Sequence, residues 1–195
     1  PVDDGGMLFG GSYQGDDFIP DLFRTPGGRS LERGDIVILE TQGVMDGLWI
    51  DINRTAVIGP PPPAYARMHD ILRDAFLKMV DRLRPGVATN TLPMIGLDHL
   101  KAHGVATPEK LLVVAHGIGH MPLEIPLPFP AAGLAGVKQG FVMEEGMLIS
   151  LDSLFFGARH GPCHMENVYA ITRDGPEPMY HAPLELIVAP ANEYA

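Results

Sequence analysis

The dipeptide Asp46-Gly47 constrains this chain more than any other feature, because it separates two runs of strand-forming residues. An Asp-Gly loop favours the type I′ turn, whose twist matches that of two antiparallel strands. Before it, Gly34-Asp35 leads into Ile36-Val37-Ile38-Leu39, a buried strand by its length and β-branching. After it, Leu48 to Ile58 alternates as a strand should. Such a hairpin argues for a substantially antiparallel sheet. Pro60 to Pro63 stop the second strand and open a helix. Tyr65, Met68, Ile71, Leu72, Ala75, Phe76, Met79 and Leu83 then recur at spacings of three and four. This predicts a helix over 64–84, ended by Pro85-Gly86 and packed on the sheet through that face, its methionines in the core. A second helix is expected from Thr91 to Ala102, ending at His103-Gly104, with further strands near 111–115, 147–152, 166–172 and 184–188. Residues 1–30, dense in glycine and proline, read as short extended pieces and loops. The fold class is α/β (α+β), a mainly antiparallel sheet with helices.

The 195 residues suffice for one sizeable core, so a single domain over 1–195 is expected. A net charge of −10 repels phosphates at long range and argues against a nucleic-acid partner. The one cysteine, Cys163, has no internal disulfide partner. No apolar run reaches the ~18 residues of a membrane span, and no basic-then-apolar leader opens the chain. These features lead us to expect a soluble, cytoplasmic protein. The chain opens Pro1-Val2-Asp3-Asp4 without a methionine, which processing, trimming or excision from a longer parent would each explain.

Acidic residues and histidines gather at strand ends. Glu40 and Asp51 flank the turn, so the hairpin is expected to bring them to adjacent strands, across from each other. Two carboxylates that close repel unless a cation or a shared proton compensates. The alternative is one solvent-facing acid on each strand, but Asp51 lies between Ile50 and Ile52 in a half-buried strand, which favours a ligand. His116-Gly117-Ile118-Gly119-His120 follows a β-branched strand, with two candidate ligands four residues apart and glycines that admit close approach. Asp152 ends one apolar run and Glu166 begins another. Carboxylates with a histidine suit Mn²⁺, Co²⁺, Zn²⁺ or Fe²⁺. Cys163, among Arg159, His160 and His164, is a weaker candidate nucleophile, since no orienting third group accompanies it.

The order and spacing of four segments resemble the pita-bread metallopeptidases: methionine aminopeptidase, aminopeptidase P, prolidase and creatinase. They are Leu31-Glu32-Arg33-Gly34-Asp35, Asp51-Ile52-Asn53-Arg54-Thr55, His116-Gly117-Ile118-Gly119 with Glu124-Ile125-Pro126, and Glu145-Gly146-Met147 through Glu166 to Thr172-Arg173-Asp174-Gly175. The likeness is nearest to the Xaa-Pro peptidase branch. It implies a curved sheet with helices on its outer face and two divalent metal ions held by Glu40, Asp51, His116, Asp152 and Glu166. Glu40 would hold one ion, His116 and Asp152 the other, with Asp51 and Glu166 bridging both. Asp152 falls where the family's general base lies.

Three departures accompany the resemblance. Glu40 stands where the family has Asp, and Asp152 where it has Glu. Leu123 occupies the position of a family histidine, and residues 1–35 lack another; His120 and His164 are the available substitutes. The family's opening helices and separate N-terminal domain have no counterpart, which suggests a homodimer or part of a longer parent chain. The implied function is a metal-dependent Xaa-Pro peptidase-like hydrolase acting on a small peptide or other small molecule. The alternatives are a creatinase-like hydrolase or metal-dependent lyase, and an inactive peptide-binding or protein-binding relative.

Overall fold

Asp46 and Gly47 both adopt positive φ, 52° and 81°, as the type I′ turn requires. They join strand β3 (Ile36–Met45) to β4 (Leu48–Ile58) in an antiparallel hairpin. The computed structural model describes residues 7–9, 12–13, 30–105, 111–124, 140–155 and 162–191. Two short strands, β1 (Met7–Phe9) and β2 (Ser12–Tyr13), pair with β3, in keeping with the extended pieces expected there.

The sheet continues through β5 (Leu111–Gly117), β6 (Leu148–Phe155), β7 (Cys163–Thr172), β8 (Gly175–Pro178) and β9 (Ile187–Ala189). Among the described residues it has nine strands, in the main order β1-β3-β4-β7-β6-β5, with β8 on β7 and β9 on β4. All pairings are antiparallel except that of β9 with β4. Strand β7 starts at Cys163, three residues before the expected Glu166, because Cys163 to Met165 extend the ladder against Phe155 to Ser153.

Helix α1 (Pro63–Val80) buries the predicted face of Met68, Ile71, Leu72, Ala75, Phe76 and Met79. It ends four residues short of Arg84, with Leu83 still buried beyond its end. Helix α2 (Leu92–Ala102) follows a single 3₁₀ turn at Thr89–Thr91 and ends at His103. A Cβ on Gly96 would lie 2.9 Å from Met79 Sδ, so a side chain at 96 would require the buried Met79 side chain to shift. The helices cover the sheet face carrying Leu111, Val113, Ile149, Leu151, Cys163 and Met165, with which they form one core. The opposite face is left for chemistry. No helix among the described residues is long and apolar enough to cross a membrane.

Candidate metal centre

Residues paired in register share a sheet face, and so do residues two apart on one strand. Glu40 pairs with Asn53, Asn53 with Glu166, Glu166 with Asp152, and Asp152 with Val114. One row therefore crosses five strands on the face away from the helices. Asp51, His164 and His116 lie two residues from members of that row, so they share its face. Glu40 and Asp51 do not stand directly opposite each other, as the turn spacing suggested. Asp51 pairs with Gln42, and the two acids are diagonal, because a two-residue loop pairs Met45 with Leu48 and that fixes every later partner.

The rows bring potential ligand atoms into two groups, each with all members within 4.8 Å of one another. One contains Asp51, His116 and Glu166; the other contains Asp152, His164 and Glu166. Glu166 is common to both. Glu40 is buried beside them but belongs to neither group. Near the β4–β7 junction, Arg54 donates to the carbonyls of Asn53 and Glu166, both at 2.7 Å. The same guanidinium reaches Asn167 Oδ1, Pro183 O and Ala182 O, tying the later chain to the site. Tyr180 donates its hydroxyl to Asp51 O and accepts from Val168 N.

The side chains are arranged as a cation would need them. His116 donates Nδ1–H to Gly117 O at 3.0 Å, which leaves the lone pair of its neutral ring on Nε2, 3.6 Å from Glu166 Oε1. Asp51 Oδ2 accepts from Gln42 Nε2 at 3.0 Å, while Oδ1 is buried without a hydrogen-bond partner. Ser150 donates to Glu166 Oε1 at 2.7 Å. An orphaned carboxylate oxygen beside a correctly oriented imidazole fits a divalent ion.

Burial, then the charge of Glu166, pushes the Asp51 carboxyl up to about 8. Burial likewise raises Glu40 and Asp152, both opposed by His164. For Glu166 burial is outweighed by His116, His164 and Ser150, which hold it below its usual range. Both imidazoles are raised against burial, His116 mainly by Glu166 and His164 mainly by Asp152. A group whose pKa is higher folded than unfolded contributes stability at low pH that disappears as pH rises through the folded value. Within the site Asp51, Asp152, Glu40 and both histidines share that sign and Glu166 opposes it; elsewhere His69 and His99, lowered by burial, oppose it at acidic pH. The ion-free chain should therefore melt at a higher temperature near pH 7 than near pH 9, with loss through about pH 8 as Asp51 ionises. Thermal melts in chelator across this range test the expectation, and a flat or rising profile contradicts it.

The remaining candidates lie elsewhere. His120 is exposed and donates Nδ1–H to Gly47 O at 3.2 Å, joining neither ligand group. Leu123 is 52% exposed and has no donor to offer. Cys163 lies on the helix face, fully buried against the Tyr65 hydroxyl at 3.3 Å, and burial pushes its thiol up to about 12. A buried neutral thiol is no nucleophile, which overturns that reading. Arg159 and His160 lie outside the described residues. His164 was legible only as a substitute for a missing histidine; its place two residues before Glu166 on one strand was the signal that it shares the ligand face.

A sheet backed by helices on one side and bearing carboxylate and imidazole groups on the other matches the fold of the pita-bread peptidases. The model of metallopeptidase family M24 matches residues 19–173, and the chain belongs to that family. It is 30% identical over 168 residues to "Probable dipeptidase PepE" of Mycobacterium tuberculosis, covering 84% of this chain and 42% of that protein. It is 25% identical over 159 residues to the Xaa-Pro dipeptidase of Pyrococcus furiosus, covering 82% and 43%. The crystal structure of dipeptidase PepE from Mycobacterium ulcerans superposes with a TM-score of 0.78 at 27% identity, covering 94% of this chain and 47% of that one. The chain thus spans less than half the length of these relatives.

Proposed function

We propose that this protein is a metal-dependent hydrolase of small Xaa-Pro peptides, using two divalent ions held on the sheet face. The observation that carries the reading is the pair of ligand groups sharing Glu166. Asp51, His116 and Glu166 would hold one ion, Asp152 and Glu166 the other, with Glu40 completing the acidic wall. When bound, the ions supply a water of lowered pKa and polarise the scissile carbonyl. Asp152 is assigned as the proton acceptor: its side chain is 21% exposed against 5% for Glu166, and its Oδ1 lies 2.5 Å from His164 Nε2. A proton arriving there is shared with the imidazole. Family relatives named dipeptidase and Xaa-Pro dipeptidase support a small peptide as substrate.

Leu123 favours a second reading, a creatinase-like hydrolase or a metal-dependent lyase of the same family. No donor comes from that position. His120 does not replace it, because with Nδ1–H spent on Gly47 O its neutral ring offers only an acceptor. Hydrolysis of Xaa-Pro dipeptides by the Mn²⁺-loaded protein should accordingly be slow. Leu123→His should raise kcat/KM by about tenfold or more, the scale of one hydrogen-bond donor in the transition state. No gain in a variant shown to hold metal would favour the second reading.

A further inference from the structure

The resemblance assigns one histidine to the metal set, but the sheet places two there. His164 is 5% exposed and shares its face with Glu166. Its ligand atom lies within 4.8 Å of those of Asp152 and Glu166. A structural histidine in a core normally engages both ring nitrogens in hydrogen bonds. His164 does not: Nε2 meets Asp152 Oδ1 at 2.5 Å, and Nδ1 is buried with no partner. Its backbone, by contrast, is well anchored: N–H donates to Thr55 Oγ1 at 2.8 Å and O accepts from the same hydroxyl at 3.0 Å. The ring is thus carried by an anchored strand, with Nε2 against the Asp152 carboxylate and Nδ1 unpartnered.

Glu40, expected to ligate from β3, falls outside both groups. The structure separates Asp152 from His116, and the Asp152–Glu166 group, which His116 does not join, is the one that His164 enters. We propose that His164 is a metal ligand, supplying an imidazole nitrogen to the ion shared by Asp152 and Glu166, so that each ion of the pair has its own histidine. This rests on the two-ion reading above. It changes the donor set of that ion from oxygen alone to oxygen and nitrogen, which moves its preference from Mn²⁺ toward Co²⁺ and Zn²⁺.

The test is metal binding by the full chain, read by Co²⁺ titration, bound-metal content and the visible spectrum of the Co²⁺ form. His164→Ala should weaken one Co²⁺ site by about tenfold or more, since even the outer partners of metal ligands act on that scale. It should also alter the Co²⁺ spectrum. His164→Asp restores an oxygen donor and should recover binding with the preference shifted toward Mn²⁺; circular dichroism checks that both variants fold, and His164→Gln serves if His164→Ala does not. Unchanged Co²⁺ affinity and spectrum in a folded His164 variant overturn the inference while leaving the two-ion reading standing. A parent protein that binds no Co²⁺ overturns both.

Discussion

Adding Mn²⁺ or Co²⁺ to the ion-free protein is expected to raise its melting temperature by roughly 5–10 °C per filled site at a hundredfold excess over Kd. The origin is mass action. An ion that binds the folded state alone contributes about 2.7 kcal/mol at that excess, and each kcal/mol moves the midpoint of a chain this size by roughly 2–4 °C. The physical need is plain from the site. Glu40, Asp51, Asp152 and Glu166 are gathered on one face, three of them raised by burial and by one another. Cations relieve that repulsion in place of protons, and a chelator should reverse the gain. Glu166→Ala should abolish the whole shift because Glu166 belongs to both groups; Asp51→Ala removes the buried, unpartnered Oδ1 and should abolish the part of the shift that comes from the group it shares with His116. Scanning calorimetry with and without ions measures this. No shift and no bound ion would mean that the acids keep protons, and the inactive binding relative would become the better reading.

Phe76→Asp should leave the chain largely unfolded at 25 °C. Phe76 is fully buried in α1, within the core shared with the sheet. Removing the ring costs about 3–5 kcal/mol, and an unpaired buried carboxylate adds several more. Total stability is only about 5–15 kcal/mol, so the loss is comparable to the whole. The neighbouring Leu77 is 42% exposed, and Leu77→Asp should stay within about 0.5 kcal/mol of the parent. Urea melts of the two variants side by side decide the matter. Equal midpoints would show that α1 does not pack through the face carrying Phe76.

The sequence by itself determined the local structure. Asp46-Gly47 specified the turn because few residue pairs accept two successive positive φ values. The apolar spacing of α1 specified its buried face because 3.6 residues per turn leave one stripe to cover. The alternation of β4 put Asp51 and Asn53 on one face, whatever lay beside them. The order of Asp51, His116, Asp152 and Glu166 along the chain was enough to suggest the family.

Tertiary structure decided what stands next to what. The loop length, not the symmetry of the acids about the turn, offset Glu40 from Asp51. Pairing of Asn53 with Glu166 joins strands more than a hundred residues apart, and the Arg54 guanidinium holds that junction. Only this junction brings Asp51 to Glu166 and makes Glu166 common to two groups. Only the ladder of β6 with β7 sets His164 against Asp152, and only the helix packing seals Cys163, which strand alternation turns to the other face, under Tyr65. Local periodicity assigns a side chain to a face; which neighbours share that face is set by long-range pairing, whose energy lies in contacts between distant segments.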